Sequence, residues 1–338
     1  MRVEARIDCD LAQVPAYAQH AERLGFDALN THETQHDPFF PLVLAAEHTQ
    51  RITLGTNVAI AFPRSPMITA NIGYDLQRLS NGRFRLGLGP QVKGHNERRF
   101  SVPWSAPAPR LREYVQALRA IWDCWNGGGS LNFQGQHYTF TLMTPFFRPP
   151  PSAHPHIPVY LSAVGPGMCR LAGEVADGLR LHPLCSVKYL SDVILPNVEA
   201  GARATGRSLA DIDLVCGGFL IPADDDQAIR TGKAAVAQRI AFYASTRTYQ
   251  PVLDVHGWGN LTAQFHELSI QNRWREMPEL VSDAMLEAFA AIGPPEVAAR
   301  DVLTRYGATC SAVSLDMPPG TAEDDATLRR LIDTFHTG

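Results

Sequence analysis

The chain has 338 residues, 45% of them hydrophobic and 19% charged, with a formal net charge of -4. That length buries a large core as one barrel-sized domain or two small ones. The charge balance gives no broad basic field for a nucleic-acid backbone, and no apolar run approaches the roughly 18 residues of a membrane span, so small molecules are the expected partners.

The start MRVEARIDCD carries charges where a secretory signal needs an apolar segment, which predicts a cytoplasmic protein. Cys9, Cys124, Cys169, Cys185, Cys216 and Cys310 lie far apart with no CxxC pair, so neither a zinc knuckle nor a disulfide framework is expected. In chain order, Leu11, Val14, Ala18, Ala21 and Leu24 fall at helical spacing before Gly25, a natural terminator. FDALN then reads as a short strand, HETQH occupies residues 32 to 36, and a second helix over about 41–49 leads into ITLGTNVAIA, an apolar run suited to a strand buried on both faces.

The alternation persists. Strands are predicted at 3–8, 26–30, 52–60, 83–88, 157–162, 178–182, 213–220 and 311–315, with helical patterns between them. Eight parallel strands, each followed by a helix, close into a (β/α)8 TIM barrel, here one domain over residues 1–338. Such barrels typically take about 250 residues, so the excess is assigned to insertions at about 89–107, 126–156 and 245–300. The second holds GGGS, a hairpin-like LNFQGQHYTF and the proline-rich RPPPSAHPHIP; the third is mostly helical. A doubly wound open sheet is the rival, but no GxGxxG follows the first strand.

HETQH matches the zinc-protease pattern, with His32 and His36 as ligands and Glu33 as base. Those ligands need one helical face, whereas this stretch follows a strand and is closed by Asp37-Pro38, whose proline disfavours helix in the residue before it. Zinc is therefore not expected. The position is informative in another way, because the C-terminal ends of barrel strands carry active sites.

FDALNTHE, RITLGTNVAIAFPRSP, LSNGRFRLGLG, the helix around REYVQALRAIWDCW, IPVYLSAVGPGMCRLAGEVADG, and Gly206-Arg207 with Asp211 succeed one another over roughly residues 10–310. This series resembles the bacterial-luciferase-like superfamily, most of all its deazaflavin-dependent oxidoreductase branch. The resemblance implies coenzyme F420 as cofactor, with FMN as the alternative, and a hydride passed between the deazaflavin and a small organic substrate. It also implies a bulge with a non-proline cis peptide near Asn57-Val58, so that Asn57, Val58 and Ala59 back one face of the ring. The segment Ser162, Ala163, Val164 and Gly165 opens a helix and is the expected phosphate cradle. Gly87 and Gly89 are expected to keep the mouth open for the ring.

Better-known relatives carry a histidine after the acidic residue that ends the second strand, where this chain has Thr34. The proton role is therefore assigned to Glu33 and His36, with His32 and His182 as further candidates. KGHNERRF supplies Lys93, His95, Arg98 and Arg99, cations suited to the polyglutamate tail of the deazaflavin coenzyme. GPQVK stands where glucose-6-phosphate-oxidising relatives have a glutamate, which argues against a sugar phosphate. Phe39, Phe40, Trp104 and Phe147 are the apolar candidates for the substrate pocket. The resemblance further implies a homodimer. An FMN-dependent monooxygenase and a non-catalytic binding barrel remain the alternative functions.

Overall fold

A computed structural model describes residues 1–316 and 322–338, with the backbone alone at 322 and 323. Its strands are β1 Arg2–Arg6, β2 Ala28–Thr31, β3 Thr53–Thr56, β4 Ala59–Ile60, β5 Phe84–Gly89, β6 Phe133–Gln134, β7 Thr139–Phe140, β8 Val159–Ala163, β9 Gly178–Leu181, β10 Asp213–Cys216, β11 Phe219–Pro222, β12 Ala290–Gly293 and β13 Ala312–Ser314. Order β3-β2-β1-β13-β10-β9-β8-β5, with β5 pairing back onto β3, closes a parallel barrel whose third strand is split into β3 and β4. This is the (β/α)8 architecture that the alternating apolar runs predict. All four residues of β2, and all four of β9, are buried, as strands with side chains on both a barrel interior and a helix layer must be.

The surrounding helices bury one stripe each. Val14, Ala18, Ala21 and Leu24 form the inner face of the first, which Gly25 ends at φ +101. The helix Pro107–Gly127 buries Leu111, Leu118, Ile121 and Trp125 among others. Among the described residues no helix is long and apolar enough to cross a membrane.

Two strands depart from expectation. The single strand predicted over 213–220 breaks after Cys216; past Gly217 and Gly218 the chain leaves the barrel as β11 and pairs in parallel with β12, forming a small separate ladder beside the mouth. The second departure is the split third strand. Pairs Leu54↔Phe84 and Gly55↔Arg85 have a sequence offset of 30 (84 − 54), whereas Ala59↔Leu88 and Ile60↔Gly89 have 29 (88 − 59). One extra residue has entered between them, a β-bulge over residues 56 to 58.

Side chains on both strands hold that bulge. The Thr56 hydroxyl donates to the Gly87 carbonyl at 2.6 Å and accepts from the Gly87 N–H at 2.9 Å, taking over the hydrogen bonds that the displaced backbone no longer makes. A Cβ on Gly87 would lie 1.9 Å from the Thr56 carbonyl oxygen, and one on Gly89 would lie 2.7 Å from Val58 Cγ2. The glycines of LGLG thus make room for the bulged strand itself, which corrects the expectation that they open space for a ring directly.

Candidate active site

Successive strand residues alternate between the interior and the helix layer, so charges at every second position of RVEAR and LRLH point into the barrel. Inside, Arg180 Nη1 donates to Glu4 Oε2 at 2.6 Å, Arg180 Nη2 to Asn30 Oδ1 at 2.9 Å, and Asn30 Nδ2 to Glu4 Oε2 at 2.8 Å. The Glu4 and Arg180 side chains are 1% and 3% exposed, so the pair forms a closed polar floor rather than a solvated bridge. Two residues further along the same strands come Arg6, His32 and His182, at the C-terminal mouth.

Arg6 pairs with Asp316 at 3.0 Å and also with Asp8, and Asp316 takes a second guanidinium, Arg239, at 2.5 Å. His32 is enclosed beside them. Burial, reinforced by Arg6, pushes its pKa down to about 4, and its buried Nδ1 has no hydrogen-bond partner. It is therefore a neutral imidazole whose buried Nδ1 makes no hydrogen bond. His182 is also held neutral, with burial lowering its pKa to about 3. Its Nδ1 accepts from the Leu184 N–H at 3.0 Å, which places the hydrogen on Nε2, and its ring meets those of Tyr243 and Tyr249 at centroid distances of 4.5 Å.

HETQH follows β2 as a loop, not a helix, and among the described residues no group of three or more His, Cys, Asp or Glu is placed to hold a metal. Glu33 does not stand free. Its Oε2 accepts from the Ile60 N–H at 2.6 Å and from Arg64 Nη1 at 2.7 Å, while Arg64 Nη2 reaches Asp37 at 2.9 Å. A carboxylate tied to a guanidinium and to the backbone of β4 positions the bulged strand, so the expectation of Glu33 as proton carrier is corrected to a bracing role. His36 is exposed in the same loop.

The peptide bond Asn57-Val58 is cis, at the bond that the family resemblance implies. The Asn57 N–H bonds the Thr31 carbonyl at 2.7 Å and the Ala61 N–H that of Gly89 at 3.0 Å, fixing the bulge between β2 and β5. Val58, Gly89 and Ser162 are contiguous, since a Cβ on Gly89 would meet both Val58 Cγ2 and Ser162 Oγ within 3 Å. From Ser162 the chain enters the helix Pro166–Val175 with Gly165 as its cap. The N–H of Gly167 lies in the first turn, without an intrahelical acceptor, and side chains added at Gly165 or Gly167 would meet nothing within 4 Å. A bulged wall, an open anion cradle and a neutral imidazole thus stand at the C-terminal ends of neighbouring barrel strands. That set fits a planar cofactor carrying a phosphate.

The family model described as luciferase-like monooxygenase matches residues 3–311. The chain belongs to this luciferase-like family. An uncharacterized protein of Mycobacterium tuberculosis is 46% identical over 88% of both chains. The 5,10-methylenetetrahydromethanopterin reductase of Archaeoglobus fulgidus is 27% identical, covering 88% of this chain and 86% of its own. Among solved structures, the coenzyme F420 dependent tetrahydromethanopterin reductase of Methanopyrus kandleri shares the fold with a TM-score of 0.80 at 23% identity, covering 100% of this chain and 98% of the other.

The remaining expected residues of this luciferase-like chain are scattered. Phe39 is only 5% exposed and belongs to the core, with Arg64 lying 5.3 Å over its ring, so it is withdrawn as a pocket wall. Phe40 is 64% and Phe147 71% exposed, the latter edge-on to Phe146 in a surface turn; Trp104 is half-buried. Lys93 points to solvent and pairs with Glu97 at 3.8 Å. Missing from the sequence reading are Thr56, Arg64, Arg6 with Asp316, and the tyrosines around His182. The alternating charges of RVEAR and LRLH were the available signal for the interior groups.

Proposed function

We propose that this chain is an oxidoreductase that uses coenzyme F420 to pass a hydride to or from a small organic substrate. The observation that carries the reading is the braced bulge at Asn57-Val58 beside the neutral His32, at the catalytic end of the barrel. The methylenetetrahydromethanopterin reductase similarity supports it. When bound, the deazaflavin supplies the hydride chemistry, and the protein supplies orientation, exclusion of water and a proton partner.

In this reading Asn57, Val58 and Ala59 back one face of the ring, and Glu33 with Arg64 and Thr56 hold that wall in place. Ser162 to Gly165, continuing into the helix start, receive the phosphate through backbone N–H groups. His32 exchanges a proton with the substrate, because its ring is uncharged at neutral pH and stands at the end of the second barrel strand. His182, with its hydrogen fixed on Nε2, is a donor that orients a substrate oxygen.

The family description favours a second reading, an FMN-dependent monooxygenase. Purified protein titrated in parallel with F420 and FMN separates the two. Tight binding of F420 without oxygen uptake is the expected result, and tighter FMN binding with substrate-dependent oxygen uptake overturns it. A cofactor that binds without turnover of any substrate in a panel would instead make the chain a non-catalytic binding barrel.

A further inference from the structure

Above the mouth lies a cleft of about 720 Å³ that the bulged wall and the phosphate cradle do not account for. Small-molecule sites generally span roughly 300–1,000 Å³, so its size suits a whole ligand. One side is the short helix Lys93–Arg98, which contributes His95 and Arg98, with Arg99 just after it. The other side is built by the helix Asp226–Ala244, the turn Arg247–Tyr249 and the helix Leu261–Ile270.

The lining has a single sign of charge. Arg98, Arg99 and Arg247 face the cleft, no carboxylate lines it, and among the described residues none of the three forms an ion pair with Asp or Glu. His266 spends its Nδ1 hydrogen on the Ser245 carbonyl at 3.2 Å, which leaves Nε2 available. Beside these cations the rings of Phe242 and Trp274 stand 52% and 38% exposed, with centroids 6.1 Å apart. Exposed guanidinia of one sign, gathered on a concave wall without a carboxylate partner, concentrate anions, and a partly exposed aromatic pair gives an apolar or aryl body something to lie on.

The cleft is also joined to the chemistry. Arg99 donates to the Thr34 carbonyl, tying the basic side to the HETQH loop. Tyr243 and Tyr249, neighbours of Phe242 and Arg247 in the chain, are the two rings against His182. We infer that this cleft is the substrate-recognition site, and that it selects an organic anion, a carboxylate or phosphate on an apolar or aromatic body, whose reactive end reaches the mouth between His32 and His182. This inference rests on the oxidoreductase reading for its reactive end. It reassigns Arg98 from the coenzyme tail to the substrate, because a flexible oligoglutamate chain has no use for the Phe242 and Trp274 faces.

The first arm of the test needs no coenzyme, and F420 enters only as a control. Calorimetric titration of the apoprotein with 1-naphthyl phosphate should give saturable binding that weakens with added salt, while neutral 1-naphthol should not bind. R98Q/R247Q should weaken the phosphate at least tenfold with an unchanged thermal midpoint, and R98K/R247K should restore part of the affinity. The same R98Q/R247Q protein should bind F420 as the parent does. Equal affinity of parent and R98Q/R247Q for 1-naphthyl phosphate overturns the inference, as does absent binding. A parallel loss of F420 affinity, with the naphthyl phosphate competing against F420, also overturns it and gives the cleft to the coenzyme tail. If FMN proves to be the cofactor, the proposed function fails while these binding results stand on their own.

Discussion

Replacing Thr56 with valine probes the brace of the bulged wall at nearly constant shape. Thr56 is fully buried, and its hydroxyl is the partner of both the N–H and the carbonyl of Gly87. Leu86, one residue earlier, bonds in the opposite direction to Pro158, so nothing on the β8 side substitutes for the lost partner. Valine leaves no cavity but strands two buried backbone groups, each costing about 1–3 kcal/mol. The added methyl returns at most about 1 kcal/mol. The expected net loss is therefore about 1–5 kcal/mol, read as a lower urea midpoint by circular dichroism, accompanied by weaker coenzyme binding. Thr56→Ser keeps both hydrogen bonds and should lose only about 1 kcal/mol, the worth of a buried methyl. If the valine protein is as stable as the serine protein, the hydroxyl does not brace the wall and the reasoning fails.

Three other outcomes follow from the mouth. Arg64→Met leaves the nearly buried Glu33 carboxylate without its cation and should cost roughly 3–5 kcal/mol, whereas Glu33→Gln keeps an oxygen for the Ile60 N–H and should cost clearly less by the same denaturation assay. His32 and His182 have folded pKa values of about 4 and about 3, below the unfolded value near 6.5, so the unfolded chain binds protons first as the medium turns acidic. Their contribution is whole above about pH 6.5 and declines from there toward pH 4, by up to about 1.4 kcal/mol per pH unit for each proton. His182→Asn, whose amide oxygen can stand in for Nδ1, should flatten that slope in thermal melts across this window. His32→Gln should lower kcat with little change in coenzyme affinity, and His36→Ala should leave turnover unchanged; the reverse pattern in steady-state kinetics would exchange their roles.

Sequence patterns fixed by local geometry were the readable ones. Apolar runs such as ITLGTNVAIA must be barrel strands because both their faces are buried, and Gly25 must end a helix because the chain there takes φ +101. What a side chain touches across the barrel was not readable. Glu33 looked like a free carboxylate until Arg64, 31 residues later in the chain, arrived at 2.7 Å. Phe39 and Phe40 are adjacent and chemically identical, yet helix rotation sends one into the core and the other to solvent. The basic cleft needed Arg98 and Arg247 to meet from segments nearly 150 residues apart, a closeness that only the closed barrel creates.

The central claim is that a planar redox ring lies against the bulged strand at Asn57-Val58 with its other face toward His32. A crystal structure of the protein soaked with F420 measures this directly. The expected density places the ring within van der Waals contact of Val58 and the phosphate at Gly165 and Gly167. A ring lying elsewhere, or a coenzyme seated wholly in the cleft between Arg98 and Trp274, would contradict the account.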